Sequence, residues 1–173
     1  MANTFLKASG NEMGKSLVED DKLDLAKQLI TKAQEKKVEL ILPTDIIAAK
    51  EFKADADFRT IKVQEIAQDE MALDIGPETT EHFNQYIQKA QTIVWNGPMG
   101  VFEMDNFAKG TEKVAKAVAS CPGTTIVGGG DSVAAVEKMG VSDKLTHIST
   151  GGGASLEFLE GKILPGVAAL KDR

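Results

Sequence analysis

The chain has 173 residues, 42% of them hydrophobic and 27% charged, with a formal net charge of −6. That length holds one domain with its own core rather than two, and a mildly acidic chain with scattered lysines lacks the clustered positive charge of a general nucleic-acid binder. A single cysteine, Cys121, excludes an internal disulfide and fits a reducing compartment; no apolar run approaches the roughly 20 residues that span a bilayer, and no basic-then-apolar signal opens the chain.

Residues 1–7 read as the inside of a structural unit, with no linker or polar tail, and residues 169–173 end as abruptly, as expected of a fragment. Leu25, Leu29 and Ile30, with Ala26 and Ala33, fall at helical spacing after Asp20-Asp21, a candidate cap. Val38-Glu39-Leu40-Ile41-Leu42 follows as a predicted strand closed by Pro43. A polar loop covers residues 51–57, and Thr60-Ile61-Lys62-Val63 is a weaker strand candidate. Thr79-Thr80 open a helix with Phe83, Tyr86, Ile87 and Ala90 on one face, and Thr92-Ile93-Val94-Trp95 is a strand stopped by Asn96-Gly97-Pro98. A helix carries Val114, Ala115 and Val118, and Thr124-Thr125-Ile126-Val127 is a strand running into three glycines. A helix from Ser132 to about Met139 ends at Gly140, a C-terminal cap. Thr146-His147-Ile148-Ser149 is a strand, a short helix through Leu156 and Leu159 ends at Gly161, and Ile163-Leu164 with Pro165-Gly166 forms a last extended piece.

This alternation predicts an α/β fold: a three-layer parallel sheet with helices on both faces, Rossmann-like, in a single domain over residues 1–173. Three strands end in small residues: Asn96-Gly97-Pro98-Met99-Gly100, Gly128-Gly129-Gly130-Asp131-Ser132 and Thr150-Gly151-Gly152-Gly153-Ala154-Ser155. Ligands of parallel α/β sheets bind outside the carboxyl ends of the strands. Glycine there lets backbone N–H groups approach a ligand, and the following helix offers its positive end, which suits phosphate. A carboxylate beside phosphate needs a cation between them, so Asp131 reads as a Mg²⁺ ligand. One glycine run alone is more often a tight turn; three converging on one sheet edge favour a site. No Gly-Lys-Ser/Thr follows a glycine loop and no Gly-x-Gly-x-x-Gly opens a helix, which argues against the common nucleotide-binding families and a nicotinamide-dependent oxidoreductase. By themselves Leu17, Leu73 and Val101 read as core, Glu103 as a solvated carboxylate, and Cys121 as a turn residue without a catalytic partner.

Trp95-Asn96-Gly97-Pro98-Met99-Gly100-Val101-Phe102-Glu103, Gly128-Gly129-Gly130-Asp131-Ser132 and the run from His147 to Glu157 resemble, in order, three segments of phosphoglycerate kinases; residues 1–7 and Leu73-Asp74-Ile75-Gly76-Pro77 match as well. The resemblance implies the nucleotide-binding C-terminal domain of a cytoplasmic, glycolytic two-domain enzyme, which moves a phosphoryl group between 1,3-bisphosphoglycerate and Mg-ADP to give 3-phosphoglycerate and Mg-ATP. It implies that Glu103 holds the ribose hydroxyls, that Leu17, Leu73 and Val101 line the adenine slot, and that Asn96 touches the phosphates. Gly129, Gly130 and Ser132 would cradle phosphate oxygens, Asp131 would hold Mg²⁺, and Gly152 and Gly153 would stabilise the transferring group. The substrate domain and the first strands of the nucleotide domain have no counterpart in the chain. The sheet is therefore expected to be incomplete at its N-terminal strands, and the chain to be catalytically inactive alone and prone to self-association, whereas the intact family member is usually monomeric. The competing expectation is a non-catalytic nucleotide- or protein-binding module.

Overall fold

A computed structural model describes residues 1–149 and 151–170. By its internal contacts the chain forms two units: Met1–Gln85 with Met99–Val114, and Tyr86–Pro98 with the chain from Ala115 on.

In the first unit, helices α1 (Ala2–Ala8) and α2 (Leu23–Lys36) precede a three-stranded antiparallel sheet of order β2-β1-β3. Its strands are β1 (Asp45–Ala49), β2 (Phe58–Lys62) and β3 (Met71–Ile75). Strand β1 is central and buries both faces. Ile46 and Ala48 join Leu6, Met13, Ile61 and Val63, while Ile47 and Ala49 pack with Ala56, Leu73 and Phe107. Phe107 is fully buried and meets Phe58 edge-on, with ring centroids 5.8 Å apart; burial of such a ring is worth about 3 kcal/mol. A strand covered on both sides carries no polar alternation, so β1 left no period-2 signal.

The two aspartates ahead of α2 do not cap it. The helix begins at Leu23 without a side-chain cap, and Asp20 Oδ1 instead accepts the Lys7 ammonium at 2.8 Å. Residues 38–42, expected as a strand, form none. No described strand pairs with them, and Val38 and Leu40 stay exposed; a strand without a ladder partner leaves its backbone groups unpaired.

Helices α3 (Pro77–Ile87) and α4 (Lys109–Ser120) each cross a border between the units. The second unit is an α/β layer built on a three-stranded parallel sheet of order β4-β5-β6, with β4 (Thr92–Asn96), β5 (Thr124–Gly128) and β6 (His147–Ser149). The helices that follow are α5 (Gly130–Lys138), α6 (Gly152–Leu159) and α7 (Pro165–Ala168). The expected parallel α/β architecture is present here; the antiparallel sheet of the first unit is an addition to it. Gly140 has φ 66°, and Gly140 N–H and Val141 N–H donate to Glu137 O and Val136 O, the pair of hydrogen bonds that closes a helix through a left-handed residue. Pro165, expected in an extended piece, is the first residue of α7, because its fixed φ and missing N–H suit a helix start. His147 opens an edge strand and is exposed. Among the described residues no helix is long and apolar enough to cross a membrane.

Candidate functional site

In the second unit the parallel register sets Asn96 beside Gly128 and Gly128 beside Ser149, so three strands end in one row. Two helices leave from that row. The first helical bond of α5 is Val133 N–H to Gly129 O, and that of α6 is Ser155 N–H to Gly151 O, both 3.0 Å. The N–H groups of Gly130, Asp131 and Ser132, and of Gly152, Gly153 and Ala154, therefore precede the two helical ladders. The N-cap residues are Gly129 and Gly151, and neither supplies a side-chain cap. Both helix ends thus carry partial positive charge with backbone donors at the carboxyl edge of the sheet.

The two glycine turns touch. A Cβ on Gly152 would lie 2.6 Å from Gly129 Cα and 2.7 Å from Gly129 N, so no larger residue fits. Gly129 itself has φ 91°, which favours glycine. Asn96 Nδ2 donates to Gly152 O at 3.4 Å, and Gly129 N–H donates to Ser149 O at 3.2 Å. The Ser132 hydroxyl is buried and accepts Gly97 N–H at 2.6 Å, tying the turn after β4 to α5. By contrast, a Cβ on Gly130 or Gly153 would meet nothing within 4 Å. Asp131 is exposed in the first turn of α5 and offers a hard oxygen donor suited to Mg²⁺. The structure thus brings Asn96, Gly129, Gly130, Asp131, Ser132, Gly152 and Gly153 to one edge. Thr150 lies outside the described residues.

In the first unit β3 is an edge strand, and two loops dock on its free edge. Lys15 N–H donates to Glu70 O at 2.7 Å and Ala72 N–H donates to Ser16 Oγ at 2.9 Å, which fixes the loop that presents Leu17. Val101 N–H donates to Leu73 O at 2.9 Å, which fixes the second loop. Leu17 is 87% exposed, whereas Leu73 is buried in the core and Val101 packs partly buried against the same cluster. Glu103 is exposed two residues beyond Val101. Strand β3 therefore joins Leu73 to Val101 and carries the Leu17 loop alongside.

Three buried carboxylates shape this unit and were not singled out from the sequence. Asp45 accepts the N–H of Glu78 (3.0 Å) and of Thr79 (2.7 Å), and the Thr79 hydroxyl (2.6 Å), capping α3. Gly76 is required because a Cβ there would fall 2.2 Å from that carboxylate. Asp74 accepts Gly110 N–H at 2.7 Å and Ile75 N–H at 2.9 Å; burial pushes its carboxyl up to about 6 against those two bonds. Glu70 is chelated by Arg59 through Nε and Nη2, both at 2.7 Å, and accepts Ala67 N–H; these contacts hold its carboxyl at about 2. The one sequence signal was Leu73-Asp74-Ile75-Gly76-Pro77, whose Asp74 and Gly76 now have physical reasons.

The family model for phosphoglycerate kinase matches residues 1–162. Phosphoglycerate kinases of Moorella thermoacetica and Roseiflexus castenholzii are 62% and 60% identical to the chain over 173 and 172 residues, covering 100% and 99% of it. The chain spans 44% of the length of each of these relatives. The solved phosphoglycerate kinase of Coxiella burnetii matches 96% of the chain with a TM-score of 0.93 at 48% identity, and that of Pyrococcus horikoshii matches 98% with a TM-score of 0.80 at 35% identity. The chain covers 43% and 42% of those two structures.

Proposed function

Because the chain belongs to the phosphoglycerate kinase family, we propose that it is most of the nucleotide-binding half of such an enzyme, a single domain over residues 1–173 with the substrate domain outside it. The intact protein transfers a phosphoryl group between 1,3-bisphosphoglycerate and Mg-ADP, in the cytoplasm, giving 3-phosphoglycerate and Mg-ATP. The observation that carries this reading is the row of strand ends from which two uncapped, glycine-led helices depart, Gly152 set against Gly129.

Phosphoryl transfer asks a protein mainly for positioning and charge stabilisation. The backbone of Gly129, Gly130 and Ser132 cradles phosphate oxygens at the start of α5, with the N–H groups of Gly130 and Ser132 as donors because Gly129 N–H already donates to Ser149 O, and Asn96 adds a polar contact at the end of β4. Gly152 and Gly153 present N–H donors to the transferring group. Nothing in the described structure demands glycine at 130 or 153, which supports close approach of a ligand to the backbone there. Asp131 would hold Mg²⁺ bound with the nucleotide, and the ion would supply charge neutralisation there. In the first unit Leu73 and Val101, with the exposed Leu17, meet the base, and Glu103 accepts the ribose hydroxyls. Nucleic acid and membrane are not partners. Exposed Leu25, Leu29, Val38 and Leu40 in one unit, and Phe158 and Ile163 in the other, support self-association of the chain alone.

Calorimetric titration with Mg-ADP of the chain and of an Asp131→Ala, Glu103→Ala double variant tests this. Saturable binding that the double variant loses is expected. Binding that survives in the variant, or its absence from a folded wild-type chain, sinks the residue assignment. A coupled kinase assay of the chain alone is expected to give negligible turnover, and normal turnover would overturn that part.

A further inference from the structure

We propose that Asp74 and Thr111 are positioning residues that set the nucleoside end of the site, by pinning the arm Met99–Glu103 to strand β3 and to the start of α4. The inference rests on the nucleotide reading of Val101 and Glu103 above.

The arm is held at three consecutive residues. Met99 N–H and Gly100 N–H both donate to Thr111 Oγ1, at 3.1 and 3.2 Å, and Val101 N–H donates to Leu73 O at 2.9 Å. Thr111 is fully buried, so its hydroxyl serves the arm and not solvent. Asp74 sets the second wall. A Cβ on Gly100 would fall 2.3 Å from Asp74 Oδ1, so the arm passes directly over the carboxylate. The other oxygen, Oδ2, accepts Gly110 N–H, which places Thr111, the next residue, under the arm. Met104 N–H then donates to Val101 O at 3.0 Å, closing the turn around Glu103, and Phe107 N–H donates to Met104 O at 2.8 Å, fixing the residue after it. Glu103 thus stands exposed on backbone fixed from both sides. A carboxylate that must meet two ribose hydroxyls gains from such preorganisation, because its backbone is not ordered at the expense of binding. Neither Asp74 nor Thr111 would touch the ligand.

The test separates the two ends of the nucleotide. Mg-ADP and Mg-pyrophosphate are titrated into the wild-type chain and into Thr111→Val, Thr111→Ser and Asp74→Asn, with amide hydrogen exchange of residues 99–104 followed in parallel. Valine keeps the threonine shape and removes the acceptor; serine keeps the acceptor. Asparagine keeps a carbonyl for Gly110 and turns an amide group on Ile75 N–H. Expected for Thr111→Val is faster exchange confined to the arm and roughly tenfold weaker Mg-ADP binding, a step of about 1.4 kcal/mol, with Mg-pyrophosphate affinity unchanged. Thr111→Ser restores both readouts, and Asp74→Asn lies between. Equal losses for both ligands, unchanged Mg-ADP affinity in a loosened arm, or unchanged exchange each overturn the proposal. A folded wild-type chain that binds pyrophosphate as tightly as ADP removes the nucleoside reading itself and the ligand part of this inference. If it binds neither ligand, the nucleotide reading fails, and the exchange pattern alone then decides whether the arm is pinned.

Discussion

The helices that follow the strands start differently in the two units. In the first, where α1 and α2 carry no side-chain cap, a buried carboxylate occupies the starts of the next two: Asp45 caps α3, and Asp74 takes the Gly110 N–H of α4. In the second, α5 and α6 start behind Gly129 and Gly151 with no side-chain cap. The donors and the dipole are the same in all four helices. What differs is whether the protein satisfies them itself. A capped helix end is a structural joint, whereas a bare one set at the carboxyl edge of a parallel sheet keeps its donors open, the arrangement that anions favour.

The largest expected effect comes from stripping a cap. Asp45→Ala leaves the buried N–H of Thr79 and its neighbours without their acceptor, and should cost about 3 kcal/mol in urea unfolding. A loss below about 1 kcal/mol would show that the carboxylate is not the joint it looks like.

The second expected effect is on pH dependence. Asp74 is pushed up to about 6 from 3.8, so its folded form prefers the proton. Its contribution is fully present below about pH 4 and is lost as pH rises through about 6, by up to about 3 kcal/mol. Glu70 has the opposite sign: held at about 2 against 4.5, it contributes above pH 4.5 and is lost as pH falls through about 2. The unfolding free energy of wild type relative to Asp74→Asn should therefore decline between pH 4 and pH 7. A pH-independent difference breaks the assignment of the shift to burial.

The glycine pair sharpens the contrast within the second unit. Gly152→Ala drives a Cβ into Gly129 backbone at 2.6 Å, and should cost 1–3 kcal/mol as about the penalty of overpacking. Gly153→Ala meets open space, so stability should hold within about 0.5 kcal/mol while Mg-ADP affinity falls roughly tenfold. If affinity holds in Gly153→Ala, the α6 end is not part of the binding surface.

The glycine-lined sheet edge was legible in the sequence because each of its loops is a local event, an apolar β-rich run giving way to glycine and then to a helical period. Trp95-Asn96-Gly97-Pro98 and Gly128-Gly129-Gly130-Asp131-Ser132 announce themselves within five residues. The same locality misled at Val38–Leu42, where an apolar run looks like a strand yet no partner is present among the described residues. It also hid β1, whose Asp45-Ile46-Ile47-Ala48-Ala49 is apolar on both faces.

Composition and local pattern, read alone, determined the α/β class, the positions of five helices and three parallel strands, and the glycine-lined strand ends, since turns, caps and periodicities are written in neighbouring residues. The tertiary structure decided the rest. It chose which helix ends are capped, by bringing Asp45 to Thr79 and Asp74 to Gly110 across 34 and 36 residues of chain. It also turned Thr111 into the acceptor for Met99 and Gly100. A carboxylate or hydroxyl finds a buried donor only when the fold delivers both to one place, and no spacing along the chain encodes that meeting.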